Sequence, residues 1–371
     1  MTSAVSIPRY PTDVTSAWLS SVLSSGGQAV DVREVVVTAV GTGQTGATYR
    51  IEAGYGANPG DLPATFIIKL PAQDDTVRDR VVLGYRSECA FYQSVAHRVQ
   101  VPIPTAFHCE ISDDAANYAL LLNDAAPAVQ GDQIAGCDEA QALLAARAIA
   151  GLHAPTWNQG EWLTFSGLAM SMLDDASKKG MGDVAVMSAD ITIEKLGSKL
   201  SAADQSTFKD AMTLVTPWLA DLGRFSLIHG DYRLDNLLFH PDHTGIWVVD
   251  WQTLGVGLPA RDLAYFAATS LEPAERARIE RGLVTAYHEA LLELGVTDYD
   301  RETCWYDYRY GMIQALLISA LGFAFAVGTD RGDDMVAAML RRGCQAVREL
   351  GTSDLVRARS TAATVSLTQE V

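Results

Sequence analysis

The stretch Ser226-Leu227-Ile228-His229-Gly230-Asp231-Tyr232-Arg233-Leu234-Asp235-Asn236 decides the fold. A β-prone run leads into it, and Asp231 and Asn236 stand within it as Asp-x-x-x-x-Asn. Fourteen residues beyond Asn236, Asp250 ends the apolar run Ile246-Trp247-Val248-Val249. Leu237-Leu238-Phe239 and a His240-Pro241-Asp242-His243-Thr244-Gly245 turn lie between, so the intervening segment reads as a hairpin. Phosphoryl transfer to a hydroxyl needs such a set. One carboxylate accepts the hydroxyl proton, while an amide and a second carboxylate hold Mg²⁺ against nucleotide phosphates. The hairpin would fold Asn236 and Asp250 to one place.

Toward the N-terminus, Gly41-Thr42-Gly43-Gln44-Thr45-Gly46 spells G-x-G-x-x-G. That pattern fits two classes. A dinucleotide fold needs strand, loop, then helix. Here Ala47-Thr48-Tyr49-Arg50-Ile51-Glu52 follows and reads as a strand, which favours a glycine loop lying over phosphates. Lys69 closes the apolar strand Thr65-Phe66-Ile67-Ile68 and shares a face with Ile67. On the helix expected from Asp79 to Arg98, Val81, Tyr85, Glu88, Tyr92 and Val95 form one apolar stripe with Glu88 at its centre. A carboxylate on a buried face is costly unless paired, and Lys69 is the obvious cation.

The chain has 371 residues, 28 Lys+Arg and 45 Asp+Glu, for a net charge of −17. Such an acidic chain argues against nucleic acid or anionic lipid as a partner. Its 48% apolar content supports a sizeable core rather than disorder. The five cysteines show no C-x-x-C spacing, so they indicate neither a zinc site nor a disulfide framework. Met1 to Arg9 lacks a basic segment followed by an apolar one, so no signal peptide is expected and a cytoplasmic location follows. Gly311 to Gly328 is apolar, but Gln314, Ser319 and Gly322 favour a helix buried in a large lobe over a membrane span. Sheet pattern dominates to Asn123 and helical pattern follows, with a loose tail expected from Ser360 to Val371.

The glycine loop, Lys69, Glu88, Leu120-Leu121-Leu122-Asn123-Asp124, Leu152-His153-Ala154, His229-Gly230-Asp231 to Asn236 and Val249-Asp250-Trp251-Gln252 follow in that order. In this the chain resembles the aminoglycoside phosphotransferase / choline kinase-like family, and within it the ecdysteroid-kinase-like branch. The resemblance runs from about Thr12 to Leu350, and H-G-D-x-x-x-x-N with the later D-W is its most specific part. It implies an α+β, two-lobed protein-kinase-like fold. A small β-rich N-lobe would span 1–122 and a large, mostly helical C-lobe 123–371. It implies a kinase that uses ATP or GTP with Mg²⁺ to phosphorylate a hydroxyl of a small molecule.

By the same resemblance Asp231 would be the catalytic base, and Asn236 and Asp250 the magnesium ligands. Lys69 would hold the phosphates, oriented by Glu88, and Arg233 would touch the transferring group. Gly41, Thr42, Gly43, Gln44, Thr45 and Gly46 would cover the phosphates. Leu122 would be the gatekeeper, and backbone groups of Asn123 and Ala125 would meet the base. His229 and Asp262 would brace the loop, and His153 would be structural. Asp250-Trp251-Gln252 departs from the Asp-Phe-Gly of protein kinases, and Asn123 stands where related sequences often have Glu, which leaves ATP and GTP both open.

A protein kinase is the nearest rival, but the chain has no Ala-Pro-Glu, and helical pattern resumes near Asp262, twelve residues after Asp250. A catalytically inactive kinase-like scaffold is the rival from another class. It usually lacks a key residue, whereas Lys69, Glu88, Asp231, Asn236 and Asp250 are all present. Trp305, Tyr308 and Tyr310 read as core rather than as a ligand cage.

Overall fold

The computed structural model describes residues 6–24, 27–40, 46–57, 61–219, 223–326 and 328–369. β-Branched and alternating apolar residues build an antiparallel sheet from the first third of the chain. Its strands are β1 (Asp31–Ala39), β2 (Gly46–Ala57), β3 (Thr65–Pro71), β4 (Ala106–Ile111) and β5 (Tyr118–Asn123), in the order β1-β2-β3-β5-β4. Alternation along β3 sends Phe66, Ile68 and Leu70 to one face, where they pack with Ala119 and Leu121 against α1 (Ser16–Leu23). Thr12 to Leu23, which reads as one short helix in the sequence, is split. Pro11–Asp13 makes a separate 3₁₀ turn, and the Thr15 hydroxyl caps α1 by accepting from Trp18 N at 3.1 Å.

Ile67, Tyr118, Leu120 and Leu122 line the opposite face, under α2 (Asp75–Ala90) and its Tyr85 and Cys89. This helix starts four residues earlier than expected and does not continue unbroken to Arg98. Phe91–Val95 widens into a π turn and Ala96–Arg98 tightens into 3₁₀. The widened turn lays Phe91 flat on Trp251, with centroids 3.7 Å apart and planes at 4°. A tertiary contact thus accompanies the change from regular helix.

Beyond Asn123 the chain turns helical. It runs through β6 (Val129–Gln130), α3 (Glu139–His153), α4 (Asp175–Leu196), α5 (Ala202–Thr213) and α6 (Val215–Trp218). Four short strands follow: β7 (Ser226–Ile228), β8 (Leu237–Phe239), β9 (Ile246–Val248) and β10 (Gly255–Gly257). The last stretch holds α7 (Ala260–Ser270), α8 (Pro273–Glu293), α9 (Arg301–Gly311), α10 (Ile313–Ala324), α11 (Asp330–Glu349) and α12 (Thr352–Gln369). β6, β8 and β9 form a three-stranded sheet, and β7 pairs with β10.

One apolar cluster joins these helices and takes in Trp305, Tyr308 and Tyr310 as packing residues. Within α10, Gln314 is buried and donates to Gly230 O at 3.1 Å, while Ser319 donates to Ala315 O at 2.7 Å. Among the described residues no helix is long and apolar enough to cross a membrane. The loose tail expected from Ser360 is instead the end of α12, since nothing from Ser360 to Gln369 is Gly or Pro to stop a helix.

Candidate active site

The β8–β9 hairpin closes as its sequence suggests. Leu237 pairs with Val248, and Val249 N donates to Asn236 O at 3.0 Å, so Asn236 and Asp250 flank the open end. Asp250 sits in the left-handed region, φ 69° and ψ 70°, which a non-glycine residue rarely adopts. Its Oδ1 accepts from Lys69 Nζ at 3.0 Å, and the same ammonium donates to Glu88 Oε1 at 2.6 Å. Glu88 is completely buried. Its Oε2 accepts from Tyr118 OH at 2.8 Å, and its Oε1 also accepts from Trp251 N at 3.3 Å. The buried charge therefore has partners on β3, on β5 and next to Asp250.

Burial pulls the Lys69 ammonium toward neutrality, but Asp250 and Glu88 outweigh it and hold its pKa above the ordinary lysine value. Burial opposes ionisation of Asp250 as well, yet Lys69 brings its pKa below the usual carboxylate range. Burial and then the Glu88 charge push Tyr118 well up, so it stays a donor.

The second cluster centres on Asp231. Its Oδ1 accepts from Tyr265 OH at 2.7 Å and Arg233 Nε at 3.1 Å, and its Oδ2 accepts from Asn236 Nδ2 at 3.0 Å. Asn236 Nδ2 also donates to Asp231 O at 2.8 Å. Arg233 reaches onward, Nη1 donating to Asp235 Oδ2 at 2.5 Å. Burial works against the charge on Arg233, but the Asp231 carboxylate reverses that and raises its pKa. Tyr265 was not singled out from the sequence. The available signal was its place three residues after Asp262, one turn along the same helix face.

The loop hangs from buried groups. Asp262 on α7 accepts from His229 N at 2.6 Å and Gly230 N at 3.0 Å. His153 Nε2 lies 3.2 Å from the same carboxylate, and its Nδ1 lies 2.8 Å from Tyr287 OH. His229 Nε2 lies 3.0 Å from Val249 O, which ties the loop to the strand that ends at Asp250. Gly230 has φ +83°, and a Cβ there would fall 2.0 Å from Met170 Cε and 2.6 Å from Thr253 O. His229 and Asp262 thus brace the loop, and His153, expected to be structural, supports Asp262 from behind.

Gly41, Thr42, Gly43, Gln44 and Thr45 lie outside the described residues. Gly46 opens β2, opposite Pro71, so a strand precedes the loop and a strand follows it. Lys69 pairs with Leu120 and Ile67 with Leu122 across β3 and β5. Leu122 therefore shares the face that carries Lys69. Asn123 ends β5, where its N–H donates to Thr105 O at 2.8 Å, so that group is already engaged within the protein. Ala125 follows, its carbonyl accepting from Ala128 N at 2.9 Å.

The oxygen donors suit a hard cation. Asn236 turns its Nδ2 toward Asp231, which directs the amide oxygen the other way, and Asp250 uses only Oδ1 on Lys69. One amide and one carboxylate are the kind of partial oxygen set that Mg²⁺ completes with phosphate oxygens and water. Among the described residues no group of three or more His, Cys, Asp or Glu side chains gathers to hold a metal.

A sheet whose Lys69 pairs with Glu88 on the helix packed against it, set beside a helical region carrying an Asp–Asn loop and a second Asp, defines a kinase-like α+β protein. The chain belongs to the phosphotransferase enzyme family (APH), whose model matches residues 36–302. The match does not separate branches within that family. The fold is similar to that of a Ralstonia eutropha JMP134 protein provisionally described as an aminoglycoside phosphotransferase. The TM-score is 0.51 at 17% identity, over 91% of this chain and 98% of that one. A shorter segment is 43% identical over 58 residues to acyl-CoA dehydrogenase family member 11 of Homo sapiens and, over the same length, of Pongo abelii. It covers 15% of this chain and 7% of each relative.

Proposed function

We propose that the chain is a small-molecule kinase that moves the γ-phosphoryl group of ATP or GTP to a hydroxyl, with Mg²⁺ as cofactor. The observation that carries this reading is Lys69 Nζ bridging Glu88 and Asp250, one residue beyond the backbone bond that joins Asn236 to Val249. In this reading Asp231 takes the acceptor's proton, and Lys69, oriented by Glu88, binds nucleotide phosphates. Asn236 and Asp250 would hold Mg²⁺, which neutralises charge on the phosphates. Arg233 stands beside the base, where it can meet the transferring group. The loop of Gly41 to Gly46 covers the phosphates, Leu122 backs the base pocket, and Asn123 and Ala125 offer backbone contacts. We place the lobe division at 122/123, beside the end of β5 at Asn123, beyond which the next strand, β6, pairs with β8.

The acceptor is a small hydroxylated molecule, and the net charge of −17 leans toward a neutral or cationic one. A peptide acceptor is disfavoured, because α7 begins ten residues after Asp250 and leaves little room for a docking segment. The test is ADP or GDP release across hydroxylated metabolites and antibiotics, with ATP and GTP in parallel, with and without Mg²⁺. Metal-dependent release with one acceptor supports the reading. Absence of any release, together with no calorimetric heat from Mg²⁺–nucleotide, would replace it with that of a non-catalytic scaffold.

A further inference from the structure

Two cysteines meet where the site's helix rests on the sheet. Cys89 follows Glu88 on α2, and Cys109 lies on β4, an edge strand of the sheet. Their sulfurs are 2.9 Å apart, against about 2.05 Å in a disulfide. Gln93 Nε2 donates to Cys109 O at 3.1 Å and holds β4 against the π turn that continues α2. Both cysteines are free thiols. Cys89 is 1% exposed, whereas Cys109 is only partly buried. Cys304 and Cys344 are buried, and among the described residues no other cysteine pair is in sulfur contact.

We infer that Cys89 and Cys109 form a thiol-modification site, an oxidisable pair that a peroxide or a small-molecule disulfide closes into a bond between α2 and β4. With hydrogen peroxide the sulfur of Cys109, the less buried of the two residues, attacks one peroxide oxygen as thiolate. The O–O bond breaks, Cys109 becomes a sulfenic acid, and hydroxide leaves to take up a proton. Cys89 sulfur then displaces that hydroxyl as water while losing its own proton. The sum is two thiols and one H₂O₂ giving one disulfide and two H₂O. With oxidised glutathione the Cys109 thiolate breaks the S–S bond and releases one glutathione thiolate, and Cys89 then displaces the second from the mixed disulfide, so two thiols and one glutathione disulfide give one protein disulfide and two glutathione thiols. The division of labour follows burial: Cys109 and the apolar surroundings keep the Cys89 thiol protonated, which suits the second step rather than the first.

The sulfurs meet in the same arrangement in which Glu88 holds Lys69. Closing the bond therefore needs a small movement and fastens that arrangement rather than breaking it. This inference rests on geometry and stands whether or not the kinase reading does.

The experiment uses the full-length, folded protein treated with hydrogen peroxide or oxidised glutathione. Thiols titrated after denaturation should fall from five to three, and dithiothreitol should restore them. Non-reducing peptide mapping should find Cys89 joined to Cys109. Hydrogen exchange around Glu88 should slow in the oxidised protein. Cys109→Ser should show neither the linked peptide nor the slowing. Five surviving thiols, or an oxidised Cys109 beside a free Cys89, would overturn the site. A linked pair with unchanged exchange around Glu88 would overturn the fastening.

Discussion

Lys69 and Asp250 stand 181 residues apart in the chain and 3.0 Å apart in the fold, Nζ to Oδ1. That contact ties the sheet to the hairpin, and Glu88 secures it from α2.

Removing the cation leaves Glu88 buried without its charge partner. Lys69→Met should therefore cost about 3 kcal/mol of stability, at the lower end for a broken buried pair because Lys69 is itself slightly exposed. The double variant Lys69→Met/Glu88→Gln should recover part of that loss. Urea midpoints of wild type, both singles and the double would show it, and an additive double would contradict the pairing.

Asp231→Asn keeps the shape of the loop but removes the proposed base. Turnover on an identified acceptor should fall by at least about 100-fold while Mg²⁺–nucleotide affinity stays near wild type. Wild-type turnover in this variant would show that the role is misassigned.

Tyr265 donates to Asp231 Oδ1 at 2.7 Å and so fixes which way that oxygen points. In Tyr265→Phe the loss of about 1 kcal/mol of hydrogen bonding should lower kcat on an identified acceptor several-fold while Mg²⁺–nucleotide affinity stays near wild type. An unchanged kcat would argue that the tyrosine serves packing alone.

Stability should respond to pH at both ends. Asp250 has a lowered pKa, so its contribution is present above about 3.9, the unfolded value, and is lost as pH falls through the folded value. Lys69 has a raised pKa, so its contribution is present below about 10.4 and is lost as pH rises through the folded value. Asp250→Asn should flatten the acid decline relative to wild type. Thermal melts from pH 3 to pH 7 would reveal an identical slope if the ion pair were not formed.

Gly230→Ala would force a Cβ into Met170 and Thr253 at a positive φ. The backbone strain alone is about 1–2 kcal/mol, before any clash. Melting temperature should drop clearly, and a wild-type melt would mean that the loop is oriented differently.

Much of this site was legible because it rests on local periodicity. The stripe Val81–Tyr85–Glu88–Tyr92–Val95 marks Glu88 as an inward carboxylate, and alternation on β3 turns Lys69 toward it. The short hairpin after Asn236 places Asp250 without any long-range information. What stayed hidden depends on packing between distant elements. Tyr265 meets Asp231 only once α7 docks, and Tyr118 meets Glu88 only once β5 joins the sheet. The π turn at Phe91–Val95 accompanies a stack on Trp251, far away in sequence, so helical periodicity carries no sign of it. The final helix was missed for the opposite reason: Thr-, Ala- and Ser-rich sequence shows no apolar stripe, although nothing in it forbids a helix.

Asp262 has both carboxylate oxygens anchored to consecutive amides, at His229 and Gly230, and sits in the core itself. A loop riveted this way inherits the stiffness of α7 and lacks a hinge of its own. Under the proposed function Asp231 is then an anvil rather than a moving jaw. Choice among acceptors would fall to the contour of the walls above it, and variants that reshape those walls could retarget the protein without disturbing the rivet.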